Sequence, residues 1–240
     1  MITAIMTAYK RPYTLEEQYT AIKNQTVPPK EIFLWNNCPE EGSQISFNKP
    51  DVKAISCNFN AKFHGRFALA NIAKTKYVAI FDDDTIPGPR WFENCLKTDK
   101  ESPGIFGTIG VICLEDSYTP YHKIGWHNGN VLTTEVDLVG HAWFFKKEYL
   151  KYMWIEEPYS WENGEDIHFS YMALKHGNVK TYVPPHPPTD KTLWGSIPKT
   201  GHEYGNDDSA SWKKNDHTPI RNEIVRAYIK DGWKTVRKRS

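Results

Sequence analysis

Three adjacent carboxylates, Asp82, Asp83 and Asp84, follow the apolar run Tyr77-Val78-Ala79-Ile80-Phe81. Side chains alternate faces along a strand, so Asp82 and Asp84 would project to one side and Asp83 to the other. Two carboxylates on one face suit Mn2+ or Mg2+, hard ions that take oxygen ligands and often share them with substrate phosphates. The plainer alternative is a solvated acidic turn ahead of Pro87-Gly88-Pro89. A second acidic pair, Glu165 and Asp166, follows Asn163-Gly164 and opens a periodic segment. Carboxylates there can do acid–base work, or simply favour the helix dipole by about 0.3 to 1 kcal/mol. His217 and Arg221 stand four apart, a spacing that places both on one helical face toward a single anion. For Arg221 the alternative is a surface ion pair.

These groups need elements to position them. Ile2 to Ala8 is an extended apolar segment, followed by a Lys10-Arg11-Pro12 turn and a helix with Leu15, Tyr19 and Ile22 on one face. Thr14 with Glu17 reads as a capping box at its start. Ile32 to Trp35 is a second strand ending at Asn36-Asn37, and Val52 to Ser56 a third before Asn58-Phe59-Asn60. A helix from about Phe63 leads to the acidic-tipped strand. This β-α-β-β-α-β order predicts a mostly parallel sheet covered by helices on both faces, with ligands beyond the strand C-termini.

Beyond Asp84, Trp91 to Leu96 suits a short helix and Phe106 to Cys113 a strand. Leu114 to Val136 reads as irregular or as a hairpin bordering an acceptor site. Asp137 to Phe145 is strand-like but interrupted by Gly140. Ile167, Tyr171 and Leu174 mark a helix ended by Gly177 as its C′ residue. Val183 to Pro188, with four prolines around His186, is a rigid loop or edge, and Thr189 to Lys214 a candidate lid. The last helix runs from about Thr218 to Ile229, and the basic tail Lys234 to Arg239 reads as a frayed, solvated terminus.

At 240 residues the chain suits a single domain. A formal net charge of +1 argues against wholesale polyanion binding, so no nucleic acid partner is expected. Cys38, Cys57, Cys95 and Cys113 lack zinc spacing and read as ordinary, mostly buried thiols. No apolar run reaches membrane-spanning length and no signal peptide precedes the first strand, which predicts a soluble, cytoplasmic chain; a trimmed portion of an anchored protein would read alike.

Together the segments resemble nucleotide-sugar glycosyltransferases of the GT-A fold, nearest to the exostosin-type (N-acetylhexosaminyltransferase-like) domain. Met6-Thr7-Ala8-Tyr9-Lys10-Arg11 resembles that family's first nucleotide loop, and Trp35-Asn36-Asn37 its second strand end. Phe81-Asp82-Asp83-Asp84-Thr85 resembles its metal motif, Leu138 to Phe145 its acceptor-side strand, and Asn163-Gly164-Glu165-Asp166-Ile167 its catalytic motif. His217 and Arg221 fit a late H-x-x-x-R pair. Gly164 replaces a cysteine common in that motif, and the same stretch also resembles the E-D motif of the large inverting GT-A family.

The resemblance implies an α/β, Rossmann-like domain of mostly parallel sheet with a smaller acceptor-side subregion, about 1–112 its nucleotide-sugar-binding half and about 113–240 its acceptor-binding half with a C-terminal lid and helix. It implies metal-dependent transfer from a nucleoside-diphosphate donor, a UDP-sugar, to a hydroxyl of a glycan or glycoconjugate, with retention favoured over inversion. Asp84 and Asp82 would hold Mn2+ or Mg2+, with His186 or His217 as a third ligand. Thr7, Tyr9, Arg11, Asn36, Asn60, Arg66, Asp82 and Asp83 would bind the donor. Asp166, Arg221 and Glu165 would serve the reaction, Arg221 by facing the phosphates. Trp126, Trp143 and Trp161 are candidate sugar platforms, with core packing the alternative for Trp143. Two other functions fit less well. A nucleotidyltransferase acting on sugar phosphates would want glycine between Ala8 and Pro12, and a carbohydrate-binding domain would bind glycan without nucleotide.

Overall fold

The computed structural model describes residues 1–37, 45, 47–125, 128–197, 203–208 and 210–239. Its centre is the strand β1 (Ile2–Ala8), buried at every position. Parallel to it run β2 (Glu31–Asn36) and β4 (Tyr77–Phe81), and β3 (Val52–Ser56) extends the sheet beyond β2. On the other side of β4 lies antiparallel β8 (Leu138–Lys146), then β5 (Gly104–Glu115), β9 (Lys180–Val183) and β7 (Thr134–Val136). The expected α/β architecture is present: an all-parallel half continues into a mixed half.

Alternation along the strands sorts the core onto two faces. Ala4, Met6, Ala79 and Phe81 face α1 (Leu15–Lys23) and α3 (Trp91–Glu101) through Leu15, Ile22, Trp91 and Phe92. Ile5, Val78, Ile80, Trp143 and Phe145 face α2 (Gly65–Ala70), α4 (Glu165–Gly177) and α5 (His217–Lys230) through Phe67, Phe169 and Ile224. Helices therefore cover both faces, and polar loops are left to the strand ends. Among the described residues no helix is long and apolar enough to cross a membrane. Cys95 and Cys113 are buried thiols and Cys57 is half-buried; Cys38 lies outside the described residues.

Several local expectations are corrected. Thr14 forms no capping box. Its hydroxyl hydrogen is shared between the carbonyl oxygens of Arg11 and Asp83, each 2.7 Å away. α2 begins at Gly65, leaving Phe63 outside the helix. Of the two readings for the stretch after β5, the hairpin holds: β6 (Ser117–Gly125) pairs antiparallel with β5. Asn178, with φ +50°, supplies the left-handed residue that closes α4. Gly177 is the last helical residue, and the Tyr152 ring leaves no room for a side chain there; a Cβ would fall 2.3 Å from that ring.

The basic tail is docked, not frayed. Trp233 is buried, and Val236–Arg239 forms a helical turn. The buried Asp137 carboxylate accepts from the backbone N–H of Cys113 at 2.8 Å and of Val236 at 2.6 Å, tying β5 to the tail. Arg239 adds a pair with Glu135. Asp137→Ala leaves those donors without their acceptor and is expected to lower stability by about 1 to 3 kcal/mol. Urea denaturation checks the loss, and faster tryptic removal of the tail should accompany it.

Candidate functional site

The acidic turn begins where β4 stops at Phe81, one residue before the triplet. Its backbone is clamped from α1. Gln18 Nε2 donates to the carbonyls of Asp82 and Thr85, both at 2.7 Å, and Thr14 holds that of Asp83. Those anchors leave the three carboxylates on separate tasks. Asp83 takes Arg11 Nη1 at 2.5 Å, while Asp84 stays 3.8 Å from the same atom. Asp82 pairs with Arg66, whose other nitrogen reaches Glu165 Oε1 at 2.8 Å. The Arg66 guanidinium also lies over the Trp143 ring, 4.7 Å from its centroid, a cation–π contact.

His141 completes the turn's surroundings. In the β5–β8 ladder Gly107 opposes Trp143 and Ile109 opposes Gly140, so His141 and Ala142 together face Thr108. This is a β-bulge, a device that re-aims a side chain. His141 itself has φ +73°, a left-handed conformation that a non-glycine residue adopts only under constraint. Its carbonyl accepts from Thr85 Oγ1 at 2.7 Å, and its Nδ1 stands 3.5 Å from Asp84 Oδ1. One ligand atom each from Asp82, Asp84 and His141 lies within 4.8 Å of the others, close enough to hold one metal ion.

The electrostatics favour a cation here. Burial pushes the Asp82 carboxyl up to about 6 against the pull of Arg66. Burial and the charge of Asp83 push Asp84 up to about 7. Burial pushes the His141 imidazole down to about 4, so it is neutral and ligand-ready near pH 7.

The second acidic pair sits at the head of α4, where Gly164 takes φ +84° against Ile224. A side chain at Gly164 would meet backbone strain and also the isoleucine, since a Cβ there would fall 2.4 Å from Ile224 Cδ1. Asp166 accepts from Arg221 Nη2 at 2.7 Å and Nη1 at 3.0 Å, and Nη1 also reaches Asn163 Oδ1 at 3.1 Å. Tyr118 lies beneath that guanidinium at 4.3 Å. Both terminal nitrogens of Arg221, expected to face phosphates, are directed at Asp166 in this structure. Glu165 is buried beside Arg66, and burial with the charge of Asp166 raises its carboxyl to about 7.

Two adjoining cavities open over these residues. Thr7, Tyr9, Arg11, Asn60, Arg66 and the Asp triplet line the first. Asn37, not Asn36, joins them, because Asn37 Nδ2 reaches Asn60 Oδ1 at 3.0 Å whereas Asn36 turns to Ser56. Asn60 in turn donates to Tyr9 Oη at 3.0 Å. Asp166, Arg221, His217, His141 and the β6 residues Thr119, Tyr121 and Lys123 line the second. Gly205 and Trp212 border both, and Arg11 holds that segment through two 2.8 Å bonds to Asp207.

Neither expected histidine stands with the acidic turn. His186 is buried against Trp194 with Nδ1 2.8 Å from the Pro184 carbonyl, and His217 Nδ1 lies 3.1 Å from Asn163 Nδ2. The left-handed bulge brings His141 there instead; Gly140 breaking a strand pattern was the available signal. Trp143 is core, and Trp161 meets the His64 ring at a tilted angle of 56° outside both cavities. Trp126 lies outside the described residues. Trp212, 58% exposed at the shared rim, had no periodic signal to reveal it.

Arg66→Met would strand Asp82 and Glu165 without their cation, an expected loss of about 3 to 5 kcal/mol near pH 8. The loss should shrink on acidification. Without Arg66 both carboxyls rise further above their unfolded values, so the folded variant keeps protons that the unfolded chain releases. Stability of the variant then falls as pH rises from about 5 to 8, more steeply than in the parent. Urea melts of both proteins at pH 5.5 and 8 check the difference.

The sequence profile described as glycosyl transferase family 2 matches residues 3–154, from β1 through β8. No curated protein matches the chain. The profile spans well over half of the 240 residues and includes Asp82, Asp84 and His141. The chain thus belongs to glycosyl transferase family 2 and is a glycosyltransferase.

Proposed function

We propose that the chain moves a sugar from a UDP-sugar to a hydroxyl of a glycan acceptor, with Mn2+ or Mg2+ held by Asp82, Asp84 and His141. One observation carries this reading: three ligand atoms within 4.8 Å of one another, Asp82 and Asp84 on the cleft lined by Thr7, Tyr9, Asn60 and Arg66 and His141 on the adjoining cavity. Two carboxylates and a neutral imidazole make a donor set that suits Mn2+, and the buried acids gain from a cation. When bound, the ion would act as a Lewis acid on the departing diphosphate, worth several kcal/mol.

The protein's own groups supply the rest. Thr7 Oγ1 is buried on the cleft wall without a hydrogen-bond partner among the described residues, a spare group for a ribose or phosphate oxygen. Tyr9, steadied by Asn60, offers its ring to the base. Asp166 lines the second cavity, where the acceptor would enter, and Arg221 fixes its direction. There it takes the proton of the acceptor hydroxyl as a general base. Direct displacement of that kind inverts the anomeric centre. We prefer inversion to the retaining course of the exostosin-type resemblance, because a group that protects a retained centre belongs against the donor sugar.

Calorimetric titration with UDP, with and without Mn2+, tests the reading. Mn2+-dependent UDP binding is expected in the parent, weakened at least about tenfold in Asp84→Asn and in His141→Ala. UDP binding that ignores Mn2+ would refute the metal site. Proton NMR of the first-formed product reads the anomeric course; a retained configuration would remove Asp166 as the base.

A further inference from the structure

The second cavity contains one charge that nothing around it, among the described residues, balances. Thr119, Tyr121 and Lys123 alternate along β6 and turn the same face to this cavity. Its floor is apolar, formed by Ile109, Val111 and Leu138. Of its ionic groups, Asp166 and Arg221 pair with one another, His141 belongs with the proposed cation site, and burial keeps the His217 imidazole neutral near pH 7. The Lys123 side chain reaches solvent, yet the surrounding walls push its ammonium below the ordinary lysine range, and no described carboxylate offsets that push. Tyr121 and Trp212 are partly exposed rings beside it, of the kind on which sugar faces pack.

We infer that Lys123 selects an acceptor saccharide carrying an anionic group, a carboxylate or a phosphate, which pairs with its ammonium while the sugar ring lies on Tyr121 or Trp212. This inference rests on the reading of the second cavity as the acceptor site. An apolar, ring-lined cavity whose single unbalanced charge is positive disfavours neutral ligands less than it favours anionic ones, and it disfavours cations outright.

The test titrates the intact protein, preloaded with UDP and Mn2+, with three probes: p-nitrophenyl β-glucuronide, glucose 6-phosphate and p-nitrophenyl β-glucoside. An anionic probe is expected to bind about tenfold tighter than the glucoside, as one charge-assisted pair allows. Comparing glucuronide with the phosphate separates the two sources of charge. Lys123→Met should bring the ratio near unity, and Lys123→Arg should preserve it. UDP affinity in the presence of Mn2+ should be unchanged in both variants. Equal binding of neutral and anionic probes by the parent would overturn the inference, as would a Lys123→Met variant whose loss falls on UDP instead. Failure of UDP to bind at all, with the charge preference intact, would sink the donor reading and leave Lys123 as the selector of an anionic saccharide.

Discussion

Carboxylates gathered at one sheet edge repel one another and lose hydration, and the rest of this structure is arranged around that problem. Asp82, Asp83, Asp84, Glu165, Asp166 and Asp207 meet three guanidiniums, Arg11, Arg66 and Arg221. Each guanidinium joins segments distant in sequence. Arg11 links the loop after β1 to the acidic turn and to Asp207, Arg66 links α2 to the turn and to α4, and Arg221 links α5 to the head of α4. Buried ion pairs add little net stability but are damaging when half-made, so the network acts as a register device for the edge. The carboxylates left over, drawn up toward neutral pH, are what a divalent cation would satisfy.

The parallel half of the sheet was largely legible in the sequence. Unbroken apolar runs in β1, β2 and β4 belong to strands buried on both faces, but strand alternation does not extend into the triplet: β4 ends at Phe81 and all three carboxylates line the first cavity, with Asp82 and Asp84 near His141 and Asp83 held by Arg11. What stayed hidden were choices decided by partners far along the chain. Thr14 looks like a cap until Asp83 offers its carbonyl, and Asn37 cannot be told from its neighbour without Asn60. Arg221 reads as a phosphate ligand until Asp166 meets both its nitrogens. The tail reads as frayed because Asp137, which accepts from Val236, lies 99 positions away.

The two cavities share a boundary at Gly205 and Trp212. The region matched by the family profile carries the Asp82–Asp84–His141 group and Lys123. Asp166, Arg221 and Trp212 lie beyond it, so both cavities are completed by residues outside the matched region. The acidic turn and His141 rest on two paired strands of the core, whereas the rest of the lining comes largely from a hairpin, helices and loops at the sheet edge.

The bulge at His141 bears on how such a chain can change over generations. His141 reaches Asp84 only because β8 holds one residue more than β5 in that interval. Deleting one residue there would regularise the ladder, relieve a left-handed backbone and make a better sheet, yet it would withdraw the imidazole and shift Gly140, whose Cβ position lies 3.7 Å from Asp166 Oδ2. The length of this strand is fixed by that contact: insertions and deletions between Gly140 and Trp143 should be absent from any lineage that keeps His141 beside Asp84.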